Sequence, residues 1–168
     1  GNILKKDEKE LATRHYSLIQ NGTNKNIVLP FIQRSWALLK DGGCLTFIIP
    51  KAMIYVENWK RLRHFLINET DLFSITDNGQ SFGSVLLEMV TFLTYKRKPD
   101  PKSKILTTRL YAGKYARYSY TDKYKLEKKY FTDQSFLISI DRNEIKRLYH
   151  FINRKSLPLS LIHISEPT

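Results

Sequence analysis

Residues 26–50 read NIVLPFIQRSWALLKDGGCLTFIIP, and the reading of this stretch decides the fold class. Phe31, Ile32, Trp36, Leu38 and Leu39 fall near helical spacing, with Gln33, Arg34 and Lys40 elsewhere on the wheel. Pro30 has no amide hydrogen and is tolerated only in a first turn, so the helix is expected to begin at 27–29. Asp41-Gly42-Gly43 stops it. The run CLTFII at 44–49 is short, continuous and apolar, and Pro50 closes it. That is the pattern of a buried, parallel strand.

Working outward, Trp59, Leu62, Phe65 and Leu66 mark a second amphipathic helix, with Lys60, Arg61 and Arg63 expected on its wet side. Residues 72–76 form a second short strand, followed by an expected turn at Asp77-Asn78-Gly79. Residues 85–95 (VLLEMVTFLTY) form a third, longer strand. Strands 44–49, 72–76 and 86–95 should share one sheet. Helices alternating with strands in this way give the rhythm of a doubly wound α/β sheet. Upstream, residues 7–16 read as a short charged surface helix and Asn21-Gly22-Thr23-Asn24 as a loop. The composition shifts at 96–104 (KRKPDPKSK), which marks a linker or domain edge. Beyond it, 105–111 and 135–140 are candidate strands. Asp141 with Glu144 opens a helix whose apolar face is Ile145, Leu148, Tyr149 and Ile152.

The 168 residues carry 28 Lys or Arg against 16 Asp or Glu, a net charge of +12 that favours a polyanionic partner. A single cysteine, Cys44, excludes a disulfide framework and a Cys-based zinc site. No apolar run is long enough to span a bilayer, so no membrane partner is expected and a cytoplasmic location is the default. The catalytic inventory is thin. There is no GxGxxG, P-loop, HExxH or G-x-S-x-G, and no metal site is expected. His15, His64 and His150 lie in charge-rich helical segments and read as solvated surface residues. The stretch 104–130 is more telling, because Tyr residues interleave with its cations. Cations neutralise phosphates and rings stack on bases, so Arg109, Lys114, Arg117, Lys123 and Lys125 are candidate DNA contacts. On these residues alone, a noncatalytic, basic, Tyr-rich nucleic-acid-binding module remains an alternative.

The ordered series Phe31-Ile32, Leu38-Leu39-Lys40, Gly42-Gly43, an apolar strand and Pro50 resembles the region after the catalytic motif in adenine-specific DNA methyltransferases of the restriction-modification type. The likeness continues through Trp59-Lys60-Arg61-Leu62-Arg63-His64-Phe65-Leu66, similar to that family's LRxFL helix, and through 75–95, where Phe82 precedes a hydrophobic strand ending in Lys and Arg. It is strongest over 26–97. Ser156-Leu157-Pro158 resembles the lead-in to the target-recognition region. The chain departs from the pattern with Gln33 in place of Glu and Pro30 at the helix start.

The resemblance implies a fold and a division of the chain. Residues 1–97 would be the C-terminal half of a class I, Rossmann-like methyltransferase sheet (strands 5, 6 and 7 with flanking helices), with strand 86–95 antiparallel to its neighbours. Residues 98–158 would be a linker and the start of a partial α+β recognition region. The hallmark Asn-Pro-Pro-Tyr motif is expected upstream of Gly1, and so is the glycine loop for S-adenosylmethionine, so no catalytic residue is assigned. Phe31 matches an aromatic that lies against the cofactor's adenine, and Pro50 ends the fifth strand at the cofactor edge. Phe82 matches an aromatic that stacks on the flipped adenine. The implied partners are DNA, the remainder of the catalytic domain, and a fused or separate nuclease. The last ten residues, 159–168 (LSLIHISEPT), resemble the translation of a transposon end used in sequencing libraries and are expected to be non-native.

Overall fold

The computed structural model describes residues 5–19, 26–80, 87–112 and 118–136. Helix α1 (Lys6–His15) carries Asp7 and Glu8 in its first turn, where carboxylates complement the helix dipole. Glu8 accepts the Lys5 amide at 2.9 Å. Helix α2 (Val28–Leu38) begins within the expected window, and Pro30 sits in its first turn. Asn26 Oδ1 accepts the Val28 amide at 3.1 Å. The buried stripe of α2 is narrower than the apolar pattern suggested. Leu29 and Ile32 are buried and Trp36 and Leu39 pack against the core, whereas Phe31 and Leu38 are 59% and 69% exposed. At 100° per residue, positions 29, 32, 36 and 39 share one face and positions 31 and 38 share another.

The turn after α2 is built for glycine. Gly42 has φ +75°, and a Cβ on Gly43 would lie 2.6 Å from Leu39 Cγ and 2.8 Å from the Lys40 carbonyl oxygen. Lys96 caps the helix from a distant strand end, donating to the carbonyls of Leu39 at 2.6 Å and Trp36 at 3.1 Å. Its own backbone exchanges two hydrogen bonds with Gly42 and Gly43.

Strand β1 (Cys44–Pro50) leads through two 3-10 turns (Lys51–Ile54 and Glu57–Trp59) into α3 (Lys60–Asn68). Then follow β2 (Asp71–Gln80), β3 (Glu88–Tyr95), β4 (Lys104–Ala112) and β5 (Tyr118–Glu127). They form one five-stranded sheet in the order β1-β3-β2-β4-β5. β3 is antiparallel to both β1 and β2, as the family resemblance implied, so β1 and β2 run parallel to each other with β3 between them. Beyond the Lys- and Pro-rich stretch the chain returns to the same sheet: β4 lies parallel to β2, and β5 pairs antiparallel with β4. β5 has no continuous apolar run, and its pairing shows only in the alternation of exposed Lys123 and Lys125 with inward Tyr124 and Leu126.

Two expectations are corrected. Asp77-Asn78-Gly79 is not a turn but part of β2, where the register against β3 slips between Asp77 and Gly79. Gly79 takes φ +56° and Asp77 Oδ1 accepts its amide at 3.0 Å, so turn chemistry is absorbed as a β-bulge. Arg63 is not on the wet side of α3 but wholly buried. Its Nη1 donates to the carbonyls of Met53 (2.7 Å) and Val56 (2.8 Å), and its Nε to that of Asp133 (2.7 Å). Met53 and Val56 belong to the irregular crossing from β1 to α3, where the Val56 carbonyl also accepts the Trp59 amide at 3.0 Å, and a guanidinium fork can reach several carbonyls at once. A helical wheel cannot show that residues 53–56 and 133 fold over that side of α3.

The core lies on one face of the sheet. Leu45, Ile49, Leu72, Ile75, Val90, Phe92, Ile105 and Leu126 meet Leu29 and Ile32 of α2, Leu62, Phe65 and Leu66 of α3, and Tyr130, Phe131 and Phe136. Phe136 bridges Phe131 and donates its amide to the Ile54 carbonyl at 2.8 Å. The rest of the expected strand at 135–140 and the helix opened by Asp141 lie outside the described residues, as does His150. Among the described residues no helix is long and apolar enough to cross a membrane.

Candidate functional site

Because β1, β2 and β4 run parallel, their carboxyl ends share one edge of the sheet with the start of β3. In α/β sheets this edge is where ligands bind. Pro50, the last residue of β1, pairs with Met89, Gln80 pairs with Glu88, and Asp77 pairs with Arg109. Lys51 follows Pro50 directly, and its ammonium lies 2.9 Å from Asp77 Oδ2 and 3.1 Å from Glu88 Oε2. Arg109 Nε approaches the same Asp77 oxygen at 3.9 Å. Asp77 is only 2% exposed.

A carboxylate this deep needs cations to offset its desolvation. Burial by itself pulls the Lys51 pKa down, but hydrogen bonds and charge from Asp77 and Glu88 outweigh it, and the net shift is upward. Lys51 is therefore held as a cation and is poorly suited to act as a base. The cluster contains two positive and two negative groups, so its chemistry is to hold three strand ends together. Sequence reading missed it, because Lys51, Asp77 and Glu88 lie on three different elements. The available signal was the place of each residue at the end of a strand expected to be parallel, or at the start of its antiparallel neighbour.

The proposed cofactor and substrate residues divide as follows. Phe31 sits in the first turn of α2 with its ring exposed. α2 packs back along β1, so its start lies toward the edge where β1 ends. Pro50 is half-buried at that edge. Phe82, Lys114 and Arg117 lie outside the described residues. Arg109 is half-buried beside Asp77, whereas Lys123 and Lys125 are exposed on β5, opposite Thr108 and Leu106 of β4. Gln33 shows what an amide can do where the resembled pattern has a carboxylate. Its Oε1 accepts the Leu18 amide and its Nε2 donates to Ser17 Oγ, both at 3.0 Å. A carboxylate could only accept.

The opposite edge has its own ion cluster. Asp71, at the start of β2, meets Arg97 at 2.7 Å and Lys128 at 3.6 Å. His15 and His64 are exposed, as expected, and no group of potential metal ligands occurs among the described residues.

An antiparallel strand inserted between two parallel ones, with a proline-ended strand at the ligand edge, is the arrangement expected for the second half of a methyltransferase sheet. Comparisons with known proteins agree. Residues 2–82 match the model of the Eco57I restriction-modification methylase family. One similar solved structure comes from work on complex assembly and conformational transition of the type I restriction-modification system. It has a TM-score of 0.53 at 12% identity, covering 70% of this chain and 23% of that one. Another is a modification subunit assigned to a type I restriction enzyme from Vibrio vulnificus YJ016, with a TM-score of 0.54 at 12% identity, covering 94% of this chain and 30% of that one. At such identity the structures establish a shared fold. The chain spans less than a third of the length of either. No curated protein matches it in sequence.

Proposed function

We propose that this chain is part of an adenine-specific DNA methyltransferase of a restriction-modification system, contributing the second half of the catalytic sheet and the start of the DNA-reading region. The observation that carries the reading is the family match over residues 2–82. The position of β3 between β1 and β2 supports it.

S-adenosylmethionine would supply an electrophilic methyl group on sulfonium sulfur. Phe31 and Pro50 fit one flank of such a cofactor: the first offers an exposed ring for its adenine, the second a strand terminus at the ligand edge. Adenine N6 would have to leave the duplex to reach the methyl group, because a stacked base cannot approach in line. The residues expected to orient N6, the Asn-Pro-Pro-Tyr group, are not in the chain. Orientation supplies much of the rate in such reactions, so the chain by itself should be inactive. Lys123 and Lys125, exposed on β5, are suited to phosphate contacts, with Arg109, Lys114 and Arg117 completing the proposed basic surface.

The test is the reading frame upstream of Gly1 and the activity of its product. The expected result is an Asn/Asp-Pro-Pro-Tyr motif there and transfer of labelled methyl groups to adenine N6 by the complete product. A stop codon or unrelated upstream sequence overturns the proposal, as does methyl transfer by the purified 168-residue chain alone.

A further inference from the structure

At the edge of the sheet away from Pro50 and Lys51, one cation is left unanswered. Lys128 Nζ is buried and donates a hydrogen bond to no protein group among the described residues. It lies 3.6 Å from Asp71 Oδ1, beyond hydrogen-bond length. Asp71 is already held through its other oxygen by Arg97 Nε and Nη2, both at 2.7 Å. Glu127, next to Lys128 in sequence, pairs with Lys129 at 2.6 Å. An ammonium has three N–H donors, and leaving them unmade away from water is costly. Two cations, Arg97 and Lys128, against the single carboxylate of Asp71 also leave this corner net positive.

Lys128 lines a cavity of about 300 Å³. The other walls are Ile67 and Asn68 at the end of α3, Pro99 and Pro101 from the connection between β3 and β4, and Phe131. Among the residues that line it, Lys128 alone is charged, and only Asn68 adds a further polar side chain. Such a volume is at the small end for a ligand site, and apolar walls with one or two polar groups are the usual make-up of such sites. One spare ammonium matches one negative charge, and a carboxylate offers two acceptor oxygens and no donor.

We propose that this cavity binds a small monocarboxylate with an apolar body. The Lys128 ammonium, on its flexible four-carbon stem, turns from Asp71 to the ligand's carboxylate, and Asp71 keeps Arg97. Ile67, Pro99, Pro101 and Phe131 cover the apolar part. The ligand would touch three segments of the chain at once and stabilise their packing by mass action. Nothing in the methyltransferase reading requires this site.

The test titrates benzoate into the full 168-residue chain and follows backbone amide NMR shifts, with benzamide as the neutral counterpart. Benzoate should give saturable shifts at Ile67, Asn68, Lys128 and Phe131, with a Kd on the order of 1 mM for so small a ligand. Benzamide should bind about ten-fold more weakly or worse, because it lacks the charge that pairs with the ammonium. Lys128→Met should weaken benzoate binding about ten-fold or more. Asn68→Asp keeps its shape but brings a like charge to an exposed part of the wall, and should weaken binding about three-fold or more. Lys6→Met, exposed on α1, should bind as the wild type does. Shifts that fail to saturate at the lining residues overturn the proposal, as does equal binding of benzamide or wild-type affinity in Lys128→Met. Equal weakening by Lys6→Met would mean a general charge effect and overturn it too. If Lys128→Met does not fold, Asn68→Asp decides, and unchanged affinity in that variant rejects the site.

Discussion

Arg63 shows how much one side chain can carry in this molecule. Among the described residues it is the largest fully buried side chain, and burial lowers its pKa, yet a guanidinium keeps its proton at any ordinary pH. Three carbonyls from two chain segments depend on it. Arg63→Met should cost about 3 kcal/mol or more, read as a lower urea midpoint, because it removes three hydrogen bonds made by a charged donor and strands the buried Met53 carbonyl. Arg63→Lys should recover only part of this, since one ammonium cannot reach three carbonyls in the geometry of a fork. Lys51 gives a pH signature of opposite character. Its folded-state pKa is raised, so its contribution is complete below the ordinary lysine range and declines as pH rises through the folded value. The stability difference between wild type and Lys51→Met should therefore be flat through neutral pH and shrink only in strongly alkaline solution. A difference that grew with alkalinity would contradict the ion-pair geometry. Neither residue's role was legible in the sequence. Arg63 sat beside Lys60 and Arg61 in what read as a solvated face, and only folding brought distant carbonyls over it.

Among the elements, the α2–β1 unit was the most legible. Its helix start, glycine stop and strand span followed from local chemistry in one contiguous stretch, but the strand is not the buried, parallel one its apolar run suggested: β1 is an edge strand paired with antiparallel β3, and Cys44, Thr46 and Ile48 are exposed on its outer face. The tight turn yields a comparison. Gly43→Ala forces a Cβ against a backbone carbonyl and should destabilise the chain by about 1–3 kcal/mol. Gly42→Ala meets open space and should cost only the left-handed backbone penalty of about 1–2 kcal/mol. Urea unfolding of both variants checks the order. Lys96→Met should loosen the end of α2, seen as faster amide exchange at residues 36–39, because two carbonyls lose their capping ammonium. β2 was only half legible. Its apolar run at 72–76 marked a strand, but Asp77-Asn78-Gly79 carries turn chemistry, and only pairing with β3 on one side and β4 on the other keeps that segment in the sheet.

For the whole molecule, the charge of +12 is a statement about partners, and the structure shows where some of it is available. Arg97, Lys51 and Lys128 face carboxylates in or near the core, whereas Lys123 and Lys125 are exposed on β5. If the latter two contact phosphates, Lys123→Gln with Lys125→Gln should reduce the slope of log affinity against log salt by about 1.8 on duplex DNA. The effect should be similar for different sequences. An unchanged slope would remove these two lysines from the interface.

By itself the sequence determined the alternation of helices and strands through residue 95, the basic character and the family likeness, and that likeness in turn implied the antiparallel placement of the last of those strands. These rest on periodicity, glycine and proline constraints, and motif order, all of which act over short stretches of chain. Only the tertiary structure decided that Lys51, Asp77 and Glu88 meet, that Arg63 is buried, and that β4 and β5 extend the same sheet. Each depends on which strands become neighbours, and strand order is set by the packing of a common core rather than by any local pattern.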